Sequence, residues 1–156
     1  MTIEEILKKE NTFIYKTRGR SMEPLLAEDH GLVKIKAKDP ARRCKENDVV
    51  LYKYPGRKNY VLHRIVEVLP DSYVMLGDNC ISYERGIKDE NIIGVMTAFV
   101  QDGVEKSVDD PEYLDYVRKL RAGEKKRVAL KKHALKFKRA LKKTVFYDKW
   151  KKYIGR

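Results

Sequence analysis

The feature that most constrains this chain is a change of hydrophobic period. Up to about residue 110 the apolar residues come in short runs that alternate, or that are rich in β-branched and aromatic types, with turn residues between them. From Pro111 onward they recur at helical steps. Thr12 to Thr17, Gly31 to Lys36, Val49 to Tyr54, Tyr60 to Leu69, Tyr73 to Leu76, Ile92 to Val100 and Val104 to Val108 all read as strands. Pro55 to Asn59, Pro70 to Ser72 and Gln101 to Gly103 supply hairpin turns, His30 is a turn residue, and Asn79 to Asn91 reads as a loop. So many short strands with regular turns predict a mainly β, partly open, barrel-like domain over residues 1–110. Thr2 to Lys9 adds a short N-terminal helix, with Thr2 as N-cap and Glu5 as its capping-box partner.

The remainder, 111–156, reads as a basic amphipathic helical tail. Leu130, Ala134, Phe137, Leu141 and Val145 fall on one helical face, and Val128, Leu135, Phe146, Trp150 and Tyr153 form a looser second stripe. From Arg118 to Arg156 there are 17 Lys and Arg against 2 Asp and Glu, which more than accounts for the formal charge of +12. Three fates are open to such a tail. Its first stripe docks on the body with the charges solvated, it lies peripherally on an anionic membrane, or its cations bind nucleic acid.

Composition narrows the rest. A chain of 156 residues with 42% hydrophobic content has room for one domain with a core. Two cysteines, Cys44 and Cys80, are too few for a disulfide scaffold and lack metal-ligand spacing, so a reducing cytoplasm is expected, with no metal and no cofactor. No apolar run is long enough to span a bilayer, and the acidic start Met1 to Glu5 is unlike a secretion signal.

Chemistry concentrates in Thr17-Arg18-Gly19-Arg20-Ser21-Met22-Glu23-Pro24. Gly19 permits backbone geometries closed to other residues, and Pro24 biases Glu23 away from helical dihedrals, so Ser21 is held at the end of a strand. His63 interrupts an apolar strand, and two carboxylates follow, Asp78 in the Gly77-Asp78-Asn79 turn and Glu84 six residues later. A hydroxyl, an imidazole to deprotonate it and a carboxylate to orient the ring are the ingredients of nucleophilic acyl transfer. Either carboxylate meets the requirement. The other reading of the pair is that Asp78 stabilises its own turn while Glu84 is solvated.

The order Gly19-x-Ser21-Met22-x-Pro24, Asp48-Val49-Val50, Leu62-His63-Arg64-Ile65 and Gly77-Asp78-Asn79 resembles the signal-peptidase-like serine peptidases, the superfamily that also holds self-cleaving repressors. The resemblance spans roughly Phe13 to Val100 and is to the type with histidine, rather than lysine, as general base. It implies a β-rich peptidase fold and a serine endopeptidase acting on a peptide or precursor protein. Ser21 would be the nucleophile, His63 the base, and Glu84 or Asp78 the orienting group. It also implies an oxyanion hole at the Ser21 N–H and at Gly19, where the missing side chain leaves the second donor to backbone or solvent, with Met22 and Pro24 beside the substrate. A membrane anchor, usual among signal peptidases, is not expected from this sequence. The alternative is a non-enzymatic, repressor-like regulatory module that binds DNA through its basic tail.

Overall fold

The computed structural model describes residues 2–28, 31–54 and 56–154, with side chains to residue 143. His30 and the side chains of Val145, Phe146, Trp150 and Tyr153 therefore lie outside the described residues. The chain divides into two compact units, Met1–Arg121 and Ala122–Arg156.

The first unit is a mainly antiparallel β structure. Helix α1 (Ile3–Glu10) is capped by Thr2 and Glu5 in the predicted capping box and stops at Asn11, whose φ of 58° is left-handed. The strands are β1 (Thr12–Lys16), β2 (Leu32–Ala37), β3 (Val49–Lys53), β4 (Tyr60–Val68), β5 (Tyr73–Leu76), β6 (Glu84–Ile87), β7 (Ile92–Gln101) and β8 (Val104–Ser107). They form one sheet in the order β1-β2-β7-β3-β4-β5-β6, with β8 paired to β7. The sheet does not close, since β1 and β6 end that order.

Strand β6 lies inside the stretch read as a loop. It is four residues long, and Gly86 takes a φ of 77°, so neither alternation nor a β-branched run marks it. Asn47 has a φ of 77°, which is how asparagine serves the turn before β3.

Alternation along the strands sorts side chains to two faces. Val49, Leu51 and Leu62 join one apolar cluster, while Val50, Tyr52 and Ile65 join the other. Helix α2 (Pro111–Ala122) packs Tyr113 and Val117 into the first cluster, with Phe99 of β7. This packing carries the first unit on to Arg121, past the 110/111 boundary read from the change of period. The second unit is built on α3 (Glu124–Ile154), a helix of 31 residues.

Candidate active site

Five residues beyond the end of β1, Ser21 opens a turn in which the Leu26 N–H donates to the Met22 carbonyl at 3.0 Å. Gly19 has a φ of 75°, the conformation for which glycine was expected there. The loop is clasped by the turn after β5. The Asn79 N–H donates to the Ser21 carbonyl at 2.8 Å, and Asn79 Nδ2 donates to the Arg20 carbonyl at 2.9 Å and to Glu23 Oε2 at 3.3 Å.

Gly77 is the point of closest approach. A Cβ there would stand 2.7 Å from the Ser21 carbonyl oxygen, 2.7 Å from Cys80 Sγ and 2.9 Å from His63 Nε2. Three groups from three segments thus converge on a spot that only a residue without a side chain leaves open. The Ser21 backbone and the His63 ring, 42 positions apart in sequence, are neighbours across it.

The other ring nitrogen of His63 faces Glu84. Glu84 Oε2 lies 3.4 Å from Nδ1, and the Tyr52 hydroxyl, 3.3 Å from Nδ1, donates to the same carboxylate oxygen. Register explains the meeting. Ile65 pairs with Met75 and Met75 with Glu84, so Glu84 emerges on the face shared by Ile65 and His63. Burial by itself would lower the imidazole's proton affinity; hydrogen bonds to Cys80 and Glu84 and the carboxylate charge outweigh it and lift the pKa to about 9. For Glu84, burial pushes the pKa upward, yet the hydrogen bonds from His63 and Tyr52 bring it below the usual carboxylate value. Burial and the Glu84 charge together keep the Tyr52 hydroxyl protonated far beyond neutral pH.

Asp78 is engaged by a different basic side chain. Arg64 pairs with Leu76, and Asp78, two residues on, meets the Arg64 guanidinium in a fork, with Nε to Oδ1 at 2.9 Å and Nη2 to Oδ2 at 2.7 Å. Arg64 Nη1 also donates to the Asn47 carbonyl and to the Tyr113 hydroxyl, while the Tyr116 hydroxyl donates to Asp78 Oδ2. The pair is buried and is held further by the turn before β3 and by α2. Neither side of the earlier choice is met in full: Asp78 does more than hold its own turn, and Glu84 is engaged rather than merely solvated.

A groove of about 900 Å³ runs past Ser21. It is lined by β1 and Gly19 and by residues 58–62, which lead into and begin β4. Met22 lines it. Pro24 does not; it lines a separate cavity of about 230 Å³ with Phe99, Tyr113 and Tyr116. Among the described residues no three His, Cys, Asp or Glu side chains are grouped to hold a metal ion.

Sequence reading missed three members of this arrangement. Tyr52 was only an aromatic residue in a strand, Asn79 only the end of a turn motif, and Cys80 only one of two thiols. Cys44 and Cys80 are in fact different in kind. Burial drives the Cys44 thiol up to about 11, whereas Cys80 is partly exposed, with Sγ beside the spot that His63 Nε2 reaches.

No protein-family model matches this chain, and no curated protein matches it.

Proposed function

We propose that the chain is a serine endopeptidase of the signal-peptidase-like class, cleaving a peptide or precursor protein. Ser21 attacks the scissile carbonyl. His63 takes the proton at Nε2 and returns it to the leaving amine, and Glu84, held by Tyr52, keeps the Nδ1–H in place. The observation that carries this reading is the convergence at Gly77 of the Ser21 backbone carbonyl and His63 Nε2, which brings the serine's loop to the imidazole, with Glu84 on the opposite nitrogen. The groove along the free edge of β1 supports an extended peptide as substrate, since an edge strand offers unpaired backbone groups to a partner strand. The oxyanion would be met by the Ser21 N–H and by backbone near Gly19. Two unpaired thiols favour a reducing, cytoplasmic setting.

One observation favours a second reading of the same site. Cys80 Sγ converges with His63 Nε2 beside Gly77, and on this reading the nucleophile is the thiol, with Ser21 as its neighbour. Digestion of a peptide library, read by mass spectrometry, separates the two. Loss of cleavage by roughly a thousandfold or more in Ser21→Ala and His63→Ala, with Cys80→Ser retained, is expected. Unchanged cleavage by Ser21→Ala would end the serine assignment, and loss in Cys80→Ser would transfer the role to the thiol.

A further inference from the structure

We propose that α3 is an interfacial helix that lies on a bilayer surface rich in anionic lipid. The proposal concerns the second unit and is independent of any activity in the first.

The sequence left open whether the first apolar stripe packs away from water. It does not over the described residues. Leu130 is 61% exposed, Phe137 65% and Leu141 49%, with Ala134 exposed between them. Steps of seven and four set the three large side chains along one line of the helix. Lys131, Lys138 and Lys142 flank that line on one side and Lys136 and Lys143 on the other. Such long side chains lay their methylenes beside an apolar strip and lift their ammonium groups toward headgroup phosphates. Across residues 124–143 there are ten Lys and Arg and a single acid, Glu124.

Charge and apolarity together choose the occupant. A second copy of this helix would bring the same excess of cations to the contact and be repelled. Nucleic acid would satisfy the cations but leave Leu130, Phe137 and Leu141 in water, because phosphate binding makes no use of an apolar line. An anionic bilayer takes both, phosphates for the lysines and acyl chains for the line. Among the described residues no helix is long and apolar enough to cross a membrane, so α3 would lie along the surface rather than through it.

The test is sedimentation of the full-length protein with vesicles of phosphatidylcholine containing about 30% phosphatidylglycerol, against phosphatidylcholine alone, at roughly physiological salt. Binding to the anionic vesicles is expected, with a blue shift in the emission of Trp150, the only tryptophan. Substituting Leu130→Ser, Phe137→Ser and Leu141→Ser together should weaken partitioning by about tenfold or more. Circular dichroism checks that helix content is retained in that variant. Lys131→Glu with Lys138→Glu and Lys142→Glu should weaken it comparably without touching the apolar line. No sedimentation with anionic vesicles would overturn the proposal. So would unchanged partitioning of the serine variant, or tighter binding of a duplex DNA oligonucleotide that is indifferent to those serines.

Discussion

Strand β4 carries two basic side chains in succession, and each meets a carboxylate on its own face of the sheet. On one face Arg64 and Asp78 are both 1% exposed, joined by a two-pronged hydrogen bond and held further by Asn47, Tyr113 and Tyr116. On the other, His63 is 8% exposed and Glu84 25%, the contact is a single one at 3.4 Å, and Nε2 points to the spot shared with Ser21 and Cys80. The difference teaches what separates a strut from a pair able to exchange a proton. A cation that never loses its proton, with its donors occupied, can only hold parts together. An imidazole with one nitrogen tethered to a carboxylate and the other facing a spot shared with Cys80 can hold a proton and give it up.

The comparison is broken most severely by removing Asp78. Asp78→Ala leaves Arg64 buried without its counter-ion and should cost about 3–5 kcal/mol, read as a fall in the denaturant midpoint. Glu84→Gln, on the more open face, should cost less, about 1–3 kcal/mol in the same assay. Equal losses from the two substitutions would erase the distinction.

Next in size is the dependence on pH. The folded-state pKa of His63, about 9, stands above its ordinary 6.5. Its contribution to stability is therefore complete below 6.5 and disappears as pH rises through 9. That amounts to roughly 3 kcal/mol, measurable as a declining midpoint across alkaline titration. The Glu84 side of the same pairing is lost in the opposite sense, as pH falls through a pKa below 4.5. Since a general base must be neutral, kcat/KM on a cleaved peptide should climb with pH and level off near 9. In Glu84→Gln the leveling point should move toward neutrality. A profile already flat at pH 7 in the parent protein would show that the imidazole is not held protonated.

Smaller again is Gly77→Ala. The added Cβ collides with the Ser21 carbonyl, which is backbone and cannot swing aside, at an expected cost of about 1–3 kcal/mol. Peptide cleavage should fall more than stability does, because the collision separates Ser21 from His63. The least disruptive change is Tyr52→Phe, which deletes the hydroxyl that steadies Glu84. About 1 kcal/mol of stability is expected to go, together with a fall in the His63 pKa seen by imidazole NMR. Were the pKa to stay put, Tyr52 would be packing and nothing more.

Much of this was legible from the chain because local rules agree with one another there. Seven of the strands, the capping box at Thr2 and Glu5 and the turn at Asn47 follow from alternation and turn chemistry. Spacing could name Ser21 and His63 as candidates, but it could not choose between Asp78 and Glu84. That choice depends on register: Leu76 stands opposite Arg64, whereas Glu84 reaches the His63 face through Met75 and Ile65. A one-residue shift in β5 would exchange the two faces. Nor could sequence bring Cys80 to an imidazole 17 positions earlier, or show that Leu130 and Phe137 remain in water. Each depends on how separate segments pack, and no single segment carries that information.

The order of strands in the sheet also sets a schedule. Ser21 follows β1, which pairs with β2; His63 is in β4, within the run β3-β4-β5-β6; and β7 is the strand that hydrogen-bonds both groups. β7 begins at Ile92. During synthesis the hydroxyl and the imidazole therefore belong to two unfinished pieces of sheet until nearly a hundred residues have been made. Fragments ending before Ile92 should show little amide protection around His63, and fragments extending past β8 should show it. On that schedule any chemistry the two residues share waits until the β body is complete.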